Sequence, residues 1–188
     1  MLAKTDLIGH NAADQLQANA TPPTAVDIVW MAAATWCVWH KAVLGASDEL
    51  TEIAADLRLE RCFTPAESAF LASNGEVAAS NCCQTPVLQF VEPLGCLERC
   101  EKVWCLLWSI GVVDKLSALD TQQSATETLA LFAGRSAEDI VYESRRRPAA
   151  DIAKALETLQ MARQLQYSDV RAQIIRSRIA ALEWVLGI

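Results

Sequence analysis

Arg178 is the sharpest chemistry-bearing residue of this chain. At 100° per residue, Val170, Ile174, Ile175, Ile179, Leu182 and Val185 fill one half of a helical circumference. Arg178 projects into the middle of that apolar arc, with Arg171 near the same line two turns earlier. A guanidinium taken out of water without a partner costs several kcal/mol, so carboxylate or carbonyl oxygens must meet it. One reading is a pocket in which Arg178 and Arg171 bind an anionic group. The other, and the better supported, is an internal ion pair tying the last helix to an earlier one, with Glu67 the candidate partner.

A second set is the acidic stripe Glu49, Glu52, Asp56 and Glu60, expected on one arc of a helix opened by Ser47. Like charges at i,i+4 disfavour a helix by a few tenths of a kcal/mol each. A basic partner surface converts that cost into steering and fast association. The plainer reading is a solvated face. Among the seven cysteines, Cys96 and Cys100 sit one turn apart on an apolar face with Val103 and Leu107, while Cys105 points roughly opposite, towards Ser109 and Glu98. Structural zinc needs paired ligands converging as a tetrahedron. Only two histidines and no second clean pair accompany Cys96 and Cys100, so buried thiols are expected and no metal is assigned. The adjacent Cys82 and Cys83 leave a minor redox alternative.

His40, following Trp36 and Trp39, reads as a packed core histidine, although a triad assembled in space stays open. Arg145, Arg146 and Arg147 fall between two helices, where cations favour a helix C-terminus; capping outweighs a phosphate site there. No glycine-rich phosphate loop, nucleophile elbow or His-Glu-x-x-His run occurs in the sequence. No catalytic residue and no cofactor are assigned.

The elements that must position these residues read as helices. Thr24 is a plausible N-cap after the Thr21-Pro-Pro break, for a helix over 25–45 that is apolar around most of its circumference and therefore central. Gly45 ends it. Ser47-Asp-Glu and Thr64-Pro-Ala-Glu67 open the next two, the latter running to about residue 72. Residues 73–86 read as an irregular loop. Further helices are expected over 95–110, stopped by Gly111, over 122–133, ended by Gly134, and over 137–144 behind Ser136. Pro148 starts a helix to about 167, and Ser168-Asp169 starts the last one, to about 186. No stretch alternates with period two, so the expectation is an all-α, compact, single-domain bundle over 21–188 with a buried central helix, preceded by a loosely docked segment over 1–20.

Three of these pieces carry a resemblance. Arg61-Cys-Phe-Thr-Pro-Ala-Glu-Ser-Ala-Phe-Leu71, Trp104-Cys-Leu-Leu-Trp-Ser-Ile-Gly111 and Arg178-Ile-Ala-Ala-Leu-Glu-Trp184 resemble, in order, blocks of the bacterial domain of unknown function numbered 4272. The chain departs from that pattern at Glu157-Thr-Leu-Gln-Met-Ala-Arg163, where family members carry an aromatic, arginine-bearing stretch. The resemblance implies a helical fold and no assigned activity.

Composition restricts the rest. The chain has 188 residues, 52% of them apolar, with 7 Gly and 6 Pro. That profile excludes disorder and disfavours a many-turned β-sandwich. The longest apolar-leaning run, Ile28–Trp39, would span about 18 Å as a helix, against a bilayer core of about 30 Å. The start lacks an apolar signal-peptide region, so a cytoplasmic protein is expected. Net charge is −7 and uneven: residues 1–134 carry 7 Lys/Arg against 16 Asp/Glu, residues 135–188 carry 9 against 7. An acidic body disfavours nucleic acid and suits a protein partner with a basic surface. The leading expectation is a non-enzymatic interaction module, in concrete form an immunity protein masking a bacterial toxin. The alternative is a small anionic ligand or substrate bound between helices near Arg178. Self-association through the tryptophans is a third course.

Overall fold

The computed structural model describes residues 21–45, 47–55, 57–72, 96–119, 121–165 and 169–188. The expected docked segment over 1–20, the loop over 73–86 and the pair Cys82 and Cys83 lie outside these residues. Within them the chain is helical and contains no strand: α1 (Ala25–Leu44), α2 (Asp48–Ala54), α3 (Leu57–Glu60), α4 (Pro65–Ala72), α5 (Cys96–Ser109), α6 (Ala125–Ala130), α7 (Ala137–Glu143), α8 (Ala149–Arg163) and α9 (Asp169–Leu186).

Helix α1 starts where its cap dictates. The Thr24 hydroxyl accepts from the Asp27 N–H while the Asp27 carboxylate accepts from the Thr24 N–H, a reciprocal capping box. Its residues from Ile28 to Val43 are buried with the exception of half-buried Met31, so the helix runs through the interior as its all-round apolar pattern predicts. Helix α5 packs between α1 and α9, and α8 covers the far side of α9; the short helices α2, α3, α4 and α7 wrap α1, and α6 rests on α5. Because α5 is flanked on two sides, Cys105 and Ser109 are as buried as Cys100, Val103 and Leu107. Cys105, on the side opposite Cys100, is buried as expected of a core thiol.

The helix expected to run unbroken from Ser47 to Glu60 is broken at Ala55. Leu50 and Leu59 explain the break. Nine residues apart, they would face opposite sides of a continuous helix, yet both are buried against the core. Interrupting the helix lets each leucine turn inward. Helix α6 is likewise shorter than the expected 122–133. The N–H of Gln123 is taken by the Glu101 carboxylate at 2.8 Å, so the helix begins only after Ser124, whose side chain caps the Glu127 N–H. Helix α8 ends at Arg163, short of residue 167.

Helix α5 closes through Gly111, whose φ of +74° suits the residue after a helix end. The N–H of Val112 reaches back to the Leu107 carbonyl and that of Gly111 to Trp108, both at 3.0 Å. Residues 111–119 and 121–124 lie beside α5, where Ser117, Ala118 and Thr121 meet Arg178 of α9.

Candidate functional site

Glu101 and Arg178 form the polar centre of the molecule. Arg178 is 1% exposed, and its Nε donates to Glu101 Oε2 at 2.8 Å. Its Nη1 donates to the carbonyls of Ser117 and Ala118 at 3.2 and 3.1 Å; its Nη2 donates to Ser117 Oγ at 2.6 Å and the Thr121 carbonyl at 2.9 Å. A guanidinium has five N–H donors, and all five are used. The other oxygen of Glu101 receives the Gln123 N–H. The pair therefore pins three things to one another: α5, α9 and the segment leading into α6.

Glu67, the partner expected for Arg178, is elsewhere. It closes a capping box on α4, accepting the Thr64 N–H at 2.7 Å, and its second oxygen meets Arg99 on α5. Burial pushes its carboxyl up, but the Thr64 bonds and Arg99 outweigh that and hold it below the usual carboxylate range. Arg171 is exposed on the first turn of α9 and does not join the Arg178 cluster. A signal for Glu101 was present in the sequence: Leu97, Glu101 and Cys105 recur every fourth residue, so a carboxylate stands on an apolar line.

The acidic stripe is divided. Glu60 is exposed on α3, beyond the break at Ala55; Asp56 and the side chains of Glu49 and Glu52 lie outside what the structure describes. Arg58, two residues from Glu60, lies over the Trp30 ring at 5.1 Å and pairs with Glu138 at 3.6 Å.

Each arginine of the run donates to main-chain carbonyls. Arg145 donates to Tyr142 and Ser144, Arg146 to Pro23 and Val185, and Arg147 to Trp108, Val113 and Asp114. The backbone of Arg145 and Arg147 also donates to the Ile110 and Ser109 carbonyls. Cations here satisfy the orphan carbonyls at the ends of α5 and α9, not only those of the preceding helix. His40 is buried and packs on the Trp36 ring at 4.6 Å, which in turn meets Phe132 at 5.2 Å. Thr128 was not foreseen. Its carbonyl takes the Trp36 Nε1–H at 2.9 Å and its hydroxyl the Trp104 Nε1–H at 2.8 Å, locking α6 against α1 and α5.

Among the described residues no group of His, Cys, Asp and Glu could hold a metal. Cys37, Cys100 and Cys105 are buried, and desolvation pushes each thiol up to about 12. A thiol protonated in the fold but ionised near 9.0 when unfolded stabilises the protein fully below pH 9, and that contribution is lost as pH rises towards 12. Three such thiols give a decline approaching about 4 kcal/mol per pH unit. Lys41 and Lys102, held below the usual lysine value by burial, oppose it below pH 10.5, so the fall steepens above that point. Urea midpoints measured from pH 8 to 11.5 are expected to show it. Cys37→Ala should flatten the curve, and an unchanged slope in that variant would contradict the assignment.

Two of the surface depressions among the described residues lie apart from the Arg178 cluster. One, of about 570 Å³, lies between α2, α3 and α4 beside Lys41, whose Nζ donates to the Phe70 and Leu71 carbonyls at 2.8 Å and so caps α4. The other, of about 660 Å³, opens between the start of α1, the turn after α3 and the end of α9. Trp30, Met31, Trp184 and Ile188 give it apolar walls; Arg61 and Cys62 close one side. Neither includes Arg178.

Fold and site thus define an all-α domain organised around a buried arginine–glutamate pair. The chain belongs to the family described as Domain of unknown function (DUF4272), whose profile matches residues 16–188. No curated protein and no solved structure matches it. Among the described residues no helix is long and apolar enough to cross a membrane.

Proposed function

We propose that this protein is a non-enzymatic, acidic helical module that binds another protein through its surface, its concrete form being a cytoplasmic immunity protein that neutralises a bacterial toxin. The observation that carries the reading is the complete internal use of Arg178: five donors, five protein acceptors. The Arg145–Arg147 guanidinium groups also donate to main-chain carbonyls. Groups of a kind that does chemistry are spent on holding helices together, and a net charge of −7 is left to meet the outside. Long-range attraction from such a surface speeds encounter with a basic partner. An anionic ligand at Arg178 would first have to displace bonds in a site that excludes water.

The tagged protein, drawn from lysate of its native source at low salt, is expected to retain one basic protein in stoichiometric amount. Raising salt to about 0.5 M should release it, because exposed charges further apart than the Debye length are screened. Glu60→Lys should weaken retention several-fold. Recovery of no stoichiometric partner, or of one indifferent to salt and to Glu60→Lys, would overturn the reading.

A further inference from the structure

The groove at the junction of α1 and α9 carries a chemistry that the proposed interaction does not use. Its volume of about 660 Å³ falls in the range of small-ligand sites, which are typically 300–1,000 Å³, apolar and furnished with a few polar groups. Two tryptophans contribute to its walls, and the indole N–H of Trp30 is buried with no acceptor. A donor left unpaired inside a fold is costly, so its position here needs an explanation.

Charge supplies the second observation. Arg61 lines the groove and makes no ion pair among the described residues. Lys102, on the neighbouring turn of α5, is half-buried, and its ammonium points at the Met31 sulfur at 3.6 Å instead of at a carboxylate. Both cations draw the Cys62 pKa down against the larger upward push of burial, while Asp27 acts in the opposite sense. Lys102 reaches the groove through Met31, one of its wall residues. Burial and the like charge of Arg99 hold Lys102 itself below the usual lysine value.

The two carboxylates nearby are differently placed. Asp27 is occupied by its capping box with Thr24, whose bonds hold it below the ordinary range. Glu183 belongs to α9, where it stands 3.4 Å from the Gln160 amide. Asp27 acts on both Arg61 and Cys62, so on that side the cations Arg61 and Lys102 stand against its one carboxylate; apart from Thr21 and Glu183 the remaining wall is aromatic and aliphatic.

We infer that this groove is a binding site for a small amphipathic organic anion, an aryl or acyl carboxylate whose apolar body packs against Trp30, Met31 and Trp184 while its carboxylate is held by Arg61 with Lys102 behind it. Planar bidentate pairing makes an arginine suited to that task. The site is separate from the Arg178 cluster and independent of the proposed protein partner.

The fluorescent anion 1-anilinonaphthalene-8-sulfonate is the probe. It is expected to bind the folded protein saturably with one site, and phenylacetate should displace it while the neutral isostere phenylacetamide does not. Arg61 is exposed, so Arg61→Gln should fold normally, verified by an unchanged melting curve, and should weaken the probe and phenylacetate by about tenfold. Ala180→Phe, which fills the groove from exposed α9, should abolish both. Absence of saturable binding, equal displacement by the amide, or full affinity in either variant would overturn the inference.

Discussion

Arg178→Met is expected to destabilise the fold by about 3–5 kcal/mol, read from urea unfolding, because it strands the Glu101 carboxylate in an interior where it is 0% exposed. The variant also releases the carbonyls of Ser117, Ala118 and Thr121, each left to find another donor. Adding Glu101→Leu removes the stranded charge, so the double variant should recover a large part of the loss, and by more than the single effects would give if they simply added. It should not recover all of it, since the segment over 117–121 stays untethered. Hydrogen exchange would locate that remainder in residues 112–124. A single-variant cost below about 1 kcal/mol would show that the pair is not the organising centre described above.

Gly111→Ala is expected to cost about 3 kcal/mol or more, for two reasons acting together. A side chain at φ +74° is strained by about 1–2 kcal/mol. The new Cβ would also lie 2.8 Å from the backbone oxygen of Arg145, a position that real Cβ atoms do not occupy. The obstructing carbonyl cannot simply retreat, since the same residue's N–H is bonded to Ile110 at 2.7 Å. Gly134→Ala is the matched control: its φ is +63°, but a Cβ there meets nothing within 4 Å. It should show the backbone strain alone. Thermal melts of the two variants should differ by several degrees, and coincident melts would mean that the close approach at Arg145 is relaxed at little cost.

The helices were legible where local chemistry decides. Thr24, Ser47 and Ser136 accept the expected N–H groups, and the Thr64–Glu67 box closes as its residue types imply. The all-round burial of α1 was equally readable, being a property of one contiguous segment. Errors arose where a distant contact overrides a local pattern. The break at Ala55 follows from two leucines sharing one core, which no helical wheel of that segment reveals. Cys105 was expected as a buried thiol, but periodicity could not say that α5 has neighbours on two faces. Glu67 and Glu101 are both carboxylates near helix starts or interiors, and only the course of the chain decides which one reaches Arg178. The groove was invisible for a stronger reason: Trp30, Arg61 and Trp184 come from three remote segments, and no spacing relates them.

Arg146 joins the carbonyl of Pro23 to that of Val185, and Trp36 finds its acceptor on Thr128, 92 residues further along. The oiliest helix is thus the first of the described ones to leave the ribosome and must wait for its covers. At about 5–20 residues per second, α1 spends many seconds before α5, α6 and finally α9 emerge to enclose it. Three tryptophans, Trp30, Trp36 and Trp39, are exposed to solvent during that interval. Slow, late closure of this kind favours capture by a holding chaperone, and makes yield on synthesis more sensitive to translation speed than the finished protein's stability would suggest.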